Sequence, residues 1–220
     1  MKYLILLSVL FSFQGLAQNC NYTVSSSNFV GEIDMTEQAV SHTFSILRGS
    51  NAKSCENFRA FFGKGNANSY NRKVYNSSHN LDYNLYQKAA LNNVLKDFGD
   101  AGAGEYVQGS LPSKNTNYSF NYFIKLVDFD SVFSNGPGYY NDLIPISIYN
   151  IKNNGDLVFQ RTVFVNIQII IPRYVELSVG SLGTNHDPTQ TSHVVDFGTI
   201  QDNEVQSARL SIKGNVGFGV

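Results

Sequence analysis

The residues whose types and spacing could support chemistry are few. Asp128 and Asp130 flank Phe129, a spacing that puts both carboxylates on one face of a strand, as a calcium site would require. No glycine-containing EF-hand loop follows, so the pair reads as a solvated strand end. Gly180-Ser181-Leu182-Gly183 has a serine beside glycines but lacks the first glycine of a G-x-S-x-G nucleophile elbow. The glycines of Gly99-Asp100-Ala101-Gly102-Ala103-Gly104 are misplaced for a G-x-G-x-x-G dinucleotide turn, and a loop is the better reading. His42, His79, His186 and His193 share no metal-ligand spacing; His42 alternates with apolar residues and reads as a core group. No catalytic residue, metal or cofactor is therefore assigned, and the chain is expected not to be an enzyme.

The bulk composition narrows the class further. Across 220 residues, 16 Lys plus Arg stand against 17 Asp plus Glu, so no net field draws in a phosphate backbone and nucleic acid is not an expected partner. The 13 Tyr, 16 Phe and 18 Gly, with many Asn, Ser, Val and Ile, favour strands and tight turns. Hydrophobic residues at 42% supply a core.

The beginning of the chain indicates its compartment. Met1-Lys2 precedes an apolar run over residues 3–13, and Gln14-Gly15-Leu16-Ala17 offers small residues where a signal peptidase reads. A signal peptide over residues 1–17 is expected. The alternative, a membrane anchor, needs about 20 apolar residues. No membrane span is expected after signal removal. Cys20 is not a lipidation site, because Asn19 stands where a small residue is needed. In an oxidising compartment Cys20 and Cys55 are expected to form a structural disulfide that stabilises by roughly 3–4 kcal/mol. Neither a CxxC spacing nor nearby histidines favour a reactive or metal-binding pair. Asn21, Asn76 and Asn117 would be glycan acceptors only in a eukaryotic secretory route.

Period-two alternation positions most of the chain. Val40, His42, Phe44 and Ile46 form one such row, Phe58, Ala60 and Phe62 a second, and Tyr118, Phe120, Tyr122, Ile124 and Leu126 a third. Ile144, Ile146 and Ile148 follow, with Pro145 on the opposite parity, which suits a sheet edge or strand end. Val163, Val165, Ile167, Ile169 and Ile171 make the longest row. Turn signals at residues 63–68, 99–104, 135–138 and 153–155 separate these runs. The pattern predicts an all-β fold, an immunoglobulin-like antiparallel β-sandwich. Leu91, Val94, Leu95 and Phe98 instead follow helical spacing ahead of Gly99, which predicts a short helix or helical turn.

Pro172 marks a boundary. Beyond it Val175, Leu177 and Val179 alternate again, and residues 194–200 and 208–212 read as two more strands. Residues 172–220 are too few to close a sandwich alone. They either complete the first domain, residues 18–171, or begin a second, incomplete sandwich domain; the second option is favoured.

Three stretches together resemble the spore coat protein U family, which includes subunits of archaic (Csu-type) chaperone–usher pili. Leu81-Asp82-Tyr83-Asn84-Leu85-Tyr86 is similar to the family's L-x-Y-x-L-Y strand. Phe98-Gly99-Asp100 resembles its W-G-D turn, with Phe for Trp. Pro137-Gly138-Tyr139-Tyr140-Asn141-Asp142-Leu143-Ile144 is close to its P-G-x-Y-x-D-x-V motif. The resemblance runs from Cys20 to about Tyr149, and the segment 87–97 and the turn at Asn154-Gly155 depart from it.

The resemblance implies a subunit exported through the periplasm to the cell surface, where it assembles by donor-strand complementation. Its implied partners are a periplasmic chaperone, an outer-membrane usher and a neighbouring pilus subunit, with an abiotic or host surface as target. Only Gln18 and Asn19 precede Cys20 in the expected mature chain, leaving no arm to donate, while residues 163–171 could close the first domain in cis. That combination predicts a two-domain tip adhesin whose second domain is cut short. Tyr106, Val107, Phe133, Tyr139 and Tyr140 are the expected surface-binding residues, with core roles as the alternative. The competing function is a secreted, non-polymerising β-sandwich that binds carbohydrate; a secreted esterase has no nucleophile constellation behind it.

Overall fold

A computed structural model of the chain describes residues 19–25, 28–32, 39–128, 135–173, 175–181 and 208–214. The expected signal peptide, Asp130, Phe133 and the expected strand over 194–200 lie outside the described residues. In chain order the strands are β1 (Thr23–Ser25), β2 (Phe29–Glu32), β3 (Ala39–Leu47), β4 (Asn57–Phe62), β5 (Arg72–Tyr75), β6 (Asn80–Tyr86) and β7 (Val107–Ser110). They continue with β8 (Asn117–Leu126), β9 (Gly138–Ile151), β10 (Leu157–Ile171), β11 (Val175–Ser181) and β12 (Ala208–Gly214). No described helix is long and apolar enough to cross a membrane.

The strands form an all-β, immunoglobulin-like sandwich. One layer runs β1-β3-β8-β6-β5, the other β2-β10-β9-β4-β7, and a single Tyr75–Asn141 pair joins them into one curled sheet. All of these ladders are antiparallel except β10 with β2. The apolar rows read from the sequence meet between the layers: Phe44, Ile46, Tyr122 and Ile124 face Phe58, Phe62, Ile146 and Ile148 in one buried cluster. His42 sits half-buried at the margin, edge-on between the rings of Phe29 and Tyr122 at 5.4 Å each.

The 163–171 run is built into this sandwich. It is the second half of β10, which pairs with β9 from Leu157 to Ile171 and takes β2 along its other edge at Ile167–Ile170. Val165, Ile167, Ile169 and Ile171 are buried, so the strand fills the core as well as the sheet. β11 and β12 pair with each other in a separate two-stranded sheet.

Two sequence expectations are corrected. Residues 91–98 form no helix: Leu91 takes a left-handed φ of 55°, and the chain then runs extended beside β6, with Val94 bridged to Tyr86. The Leu95 N–H donates to the Leu85 carbonyl at 2.8 Å and Leu95 is buried, so tertiary pairing overrides the local helical spacing. Pro145 lies well inside β9, not at a strand end. Its missing N–H costs nothing there because the β4 ladder stops at the neighbouring Ile146–Phe62 pair, and its carbonyl still accepts from Gly63 N–H at 2.8 Å.

Two buried polar groups tie the layers and loops together. Asp142 on β9 accepts the Tyr83 hydroxyl at 2.8 Å and the N–H groups of Asn66 and Leu143 at 2.9 and 2.8 Å. Gly65 makes room for this carboxylate: its φ is +66°, and a Cβ there would fall 2.2 Å from Oδ2. Burial, reinforced by Asp142, pushes the Tyr83 hydroxyl well above its ordinary pKa, so it remains a donor. Arg72 donates to the carbonyls of Gly63, Phe62 and Leu95 and to Asn84 Oδ1, at 2.6–3.2 Å. Desolvation lowers its pKa, yet a guanidinium stays charged, and the four acceptors compensate its burial. Arg72→Lys, whose compact ammonium cannot span them, should lower unfolding stability by about 2 kcal/mol in a urea titration.

Cys20 and Cys55 are bonded, closing a loop with a sequence separation of 35 at one end of the sandwich. The double variant Cys20→Ala, Cys55→Ala should lose about 3–4 kcal/mol, read as a lower guanidinium midpoint with an intact β-sheet circular-dichroism spectrum.

Candidate functional site

Strand parity decides which aromatic residues face solvent. Tyr139 and Tyr140 are consecutive on β9, so their side chains point to opposite faces. Tyr139 is 63% exposed, whereas Tyr140 is fully buried and its hydroxyl donates to the carbonyls of Asn135 and Gly136. Tyr106 and Val107 divide likewise: Tyr106 is half-buried on the outer face and Val107, 4% exposed, packs inside. Val107 and Tyr140 are thus core residues, a correction to their expected surface role. Tyr106 and Tyr139 stay outside but are not brought together. Tyr106 packs near the Tyr149 end of β9, and ten residues of strand separate Tyr149 from Tyr139, roughly 30 Å.

Around Tyr106 lies a cluster that the sequence reading missed. Phe61, 3% exposed, is packed by Phe98, Tyr106 and Tyr149, with ring centroids 5.3–5.4 Å away. Phe98 stacks on Tyr149 at 4.6 Å and 22°, and Phe159 meets Tyr149 edge-on at 5.5 Å. Phe98 and Phe159 remain about half exposed, at 47% and 52%. Arg59 lies over the Tyr106 ring, 4.6 Å from its centroid. The available signal was parity: Arg59, Phe61 and Tyr149 all stand off the buried rows of β4 and β9.

The loop that carries Phe98 is held by charges. Asp100 pairs with Lys64 at 2.9 Å and accepts the Tyr70 hydroxyl at 3.0 Å, while Glu105 pairs with Lys96 at 2.7 Å. Tyr70 in turn accepts the Asp97 N–H at 2.8 Å. The Lys64 ammonium, then the Tyr70 hydroxyl, holds Asp100 below the usual carboxylate range, and Lys96 does the same for Glu105. Folded values below unfolded ones mean that these contacts support the loop above about pH 4 and are lost as pH falls through the folded values.

A concavity of about 330 Å³ lies beside the β9–β10 turn, lined by Ser54, Asn150, Lys152, Asn153, Asn154 and Val158. Its buried amide is already engaged: Asn150 donates to the Ser54 carbonyl and accepts from Gln160 Nε2, whose Oε1 accepts the Cys20 N–H.

Two measurements check this geometry. Tyr140→Ser should cost about 3–5 kcal/mol in urea unfolding, as for a buried aromatic, while Tyr139→Ser stays within about 0.5 kcal/mol of the parent. On acidification from pH 6 to pH 3, hydrogen-exchange protection, taken relative to the intrinsic amide rate at each pH, should fall at residues 97–105 before it does in β8 and β9.

No protein-family model matches the chain, and no curated protein matches its sequence. Among solved structures it is similar to AggA, the major subunit of aggregative adherence fimbriae type I from Escherichia coli. The TM-score is 0.42 at 13% identity, over 71% of this chain and 98% of that one. It is also similar to CfaE, the adhesive subunit of CFA/I fimbria of enterotoxigenic Escherichia coli, with a TM-score of 0.39 and 12% identity over 70% of this chain and 49% of that one. A third similarity is to a chain of the CsuC–CsuE chaperone–tip adhesion subunit pre-assembly complex from archaic chaperone–usher Csu pili of Acinetobacter baumannii. There the TM-score is 0.37 and the identity 12%, over 74% of this chain and 64% of that one.

Proposed function

We propose that this chain is an adhesive subunit of a chaperone–usher pilus, exported through the periplasm and placed at the fibre tip. The observation that carries the reading is β10, which supplies the sandwich's last strand from the same chain and seats it between β9 and β2. A fibre built by strand donation needs each shaft domain to take its closing strand from a neighbour. A domain that closes itself has no such need, and the end of the fibre is where it fits.

The motif resemblance supports the same family. Tyr83, from the first of the similar stretches, donates its hydroxyl to Asp142 of the third, so the two act as one structural unit.

Residues 172–220 then begin a second sandwich that receives a strand from the chaperone and, after passage through the usher, from the next subunit. In support, β11 and β12 make a two-stranded sheet, marginal in water by itself, that leaves Val175, Leu177 and Leu210 more than half exposed. The first domain contacts the target surface through its outer aromatic residues, Tyr106 and Tyr139 among them. It works by assembly and contact, without catalysis.

A second reading, a secreted sandwich that binds carbohydrate without polymerising, is favoured by the exposed rings of Phe98 and Phe159. Co-expression with the periplasmic chaperone and usher of its own genome separates the two. The pilus reading expects the full chain to co-purify with the chaperone and immunogold label to sit at fibre ends. Label spread along the shaft would remove the tip assignment, and a chaperone-independent monomer absent from fibres would favour the second reading.

A further inference from the structure

The outward face of the β7-β4-β9-β10 layer holds a cation that has no counter-ion among the described residues. Gln108 stands opposite Arg59, Arg59 opposite Tyr149, and Tyr149 opposite Phe159, so these four form one row across four strands. At the usual strand spacing the row is about 14 Å long. Arg59 is fixed twice, by the Tyr106 ring beneath it and by its Nε–H, which donates to Gln108 Oε1 at 2.9 Å. The ion pairs among the described residues are Lys64–Asp100, Lys73–Asp82 and Lys96–Glu105. Arg59 is in none of them, and its two terminal NH2 groups make no hydrogen bond to a described residue.

We propose that this row binds an acidic saccharide, its carboxylate held by Arg59 and the C–H face of its ring lying on Phe98, Tyr149 and Phe159. A guanidinium fork matches a carboxylate with two parallel hydrogen bonds, and one already clamped by a ring and an amide loses little freedom on binding. Phe98, half exposed above Tyr149, and the half-exposed Phe159 beside it offer apolar area to a sugar ring. An extended acidic peptide is served less well. The strand backbone's N–H and C=O groups point along the sheet, not out of this face, so none of the main-chain pairing that peptides use is available. Burial first, and the charge of Asp97 second, raise the Tyr149 hydroxyl's pKa, and Asp97, next to Phe98 in the chain, gives the ligand a direction. Sugar hydroxyls face Asp97 and the carboxylate faces Arg59.

This deepens the adhesive reading and rests on it for its biological purpose, but binding by the full-length chain in solution needs no fibre. A chain that binds sugar yet never joins a pilus would sink the pilus reading alone.

The test is calorimetry on the full chain with oligogalacturonate, a neutral cello-oligosaccharide of equal length, and poly-glutamate. Oligogalacturonate should bind at least about tenfold more tightly than either comparator, the equivalent of one charge-assisted hydrogen bond. Arg59→Gln should remove about tenfold of that affinity, and Arg59→Lys, which keeps the charge but not the fork, should remove part of it. Phe98→Ser should weaken binding with an unchanged β-sheet spectrum. Equal affinity for the neutral sugar, poly-glutamate binding as tight as the sugar acid, no binding of oligogalacturonate, or wild-type affinity in folded Arg59→Gln would each overturn the proposal.

Discussion

The two-sided pairing of β10 is the constraint on which the other features depend. A sandwich with an unfilled edge exposes both a row of backbone N–H and C=O groups and the apolar floor behind it. β10 covers the apolar floor and completes the edge of β9, and β2 covers four residues of β10's own far edge. Its alternate residues Val165, Ile167, Ile169 and Ile171 are buried, while its ladder to β9 runs the strand's whole length and β2 covers part of the far edge. β9 is thereby held between β10 and β4, and it is β9 that carries both Asp142 inside and Tyr149 outside. The core, the buried polar links and the aromatic face therefore share one support.

The buried polar groups show why the most motif-like residues are structural. Tyr83 and Asp142 are 59 residues apart and belong to facing layers, and their hydrogen bond lies in a low-dielectric interior where an unpaired partner would be costly. Asp142 also caps the Gly65–Asn66 turn, and Arg72 gathers carbonyls from the end of β4 and from Leu95. Between them these two side chains pin the turn after β4 and the segment around Leu95. Residues such as these resist change for reasons of folding, and their pattern in a sequence therefore speaks for architecture before it speaks for a binding partner.

Strand rows with one apolar and one polar face were legible from alternation alone, as Phe44 and Ile46 against Ser45 show, and so was the hairpin at Asn154-Gly155. The segment 91–98 was not, because its helical spacing is a local signal and the pairing of Leu95 with Leu85 is a non-local one. The outer cluster was hidden for a different reason. β9 reads Tyr149 beside Ile148, and β10 reads Phe159 ahead of a register shift between Phe159 and Arg161, so apolar residues occupy both parities and alternation cannot say which side is wet. Only the partner strands resolve it: Ala60 and Ile148 pair inward, which puts Arg59 and Tyr149 outward. Phe98 could not be placed at all without the turn made by Asp97 and Ala101.

The pairing of β10 and the build of the outer face are linked physically. Phe159 belongs to β10 and Tyr149 to β9, so the platform's rings take their positions from the same ladder that completes the core. Tyr149, on a strand paired on both sides, loses little freedom when it meets a surface. Phe98 is the exception: it reaches the platform from a loop whose hold depends on Lys64, Asp100, Lys96 and Glu105, all at the surface. The rigid part of the face follows from backbone pairing and is insensitive to salt, while the part contributed by Phe98 is screened by it. In such a face the strand positions of Arg59, Tyr149 and Phe159 are set by the ladders of β4, β9 and β10, while the position of Phe98 is set by its loop.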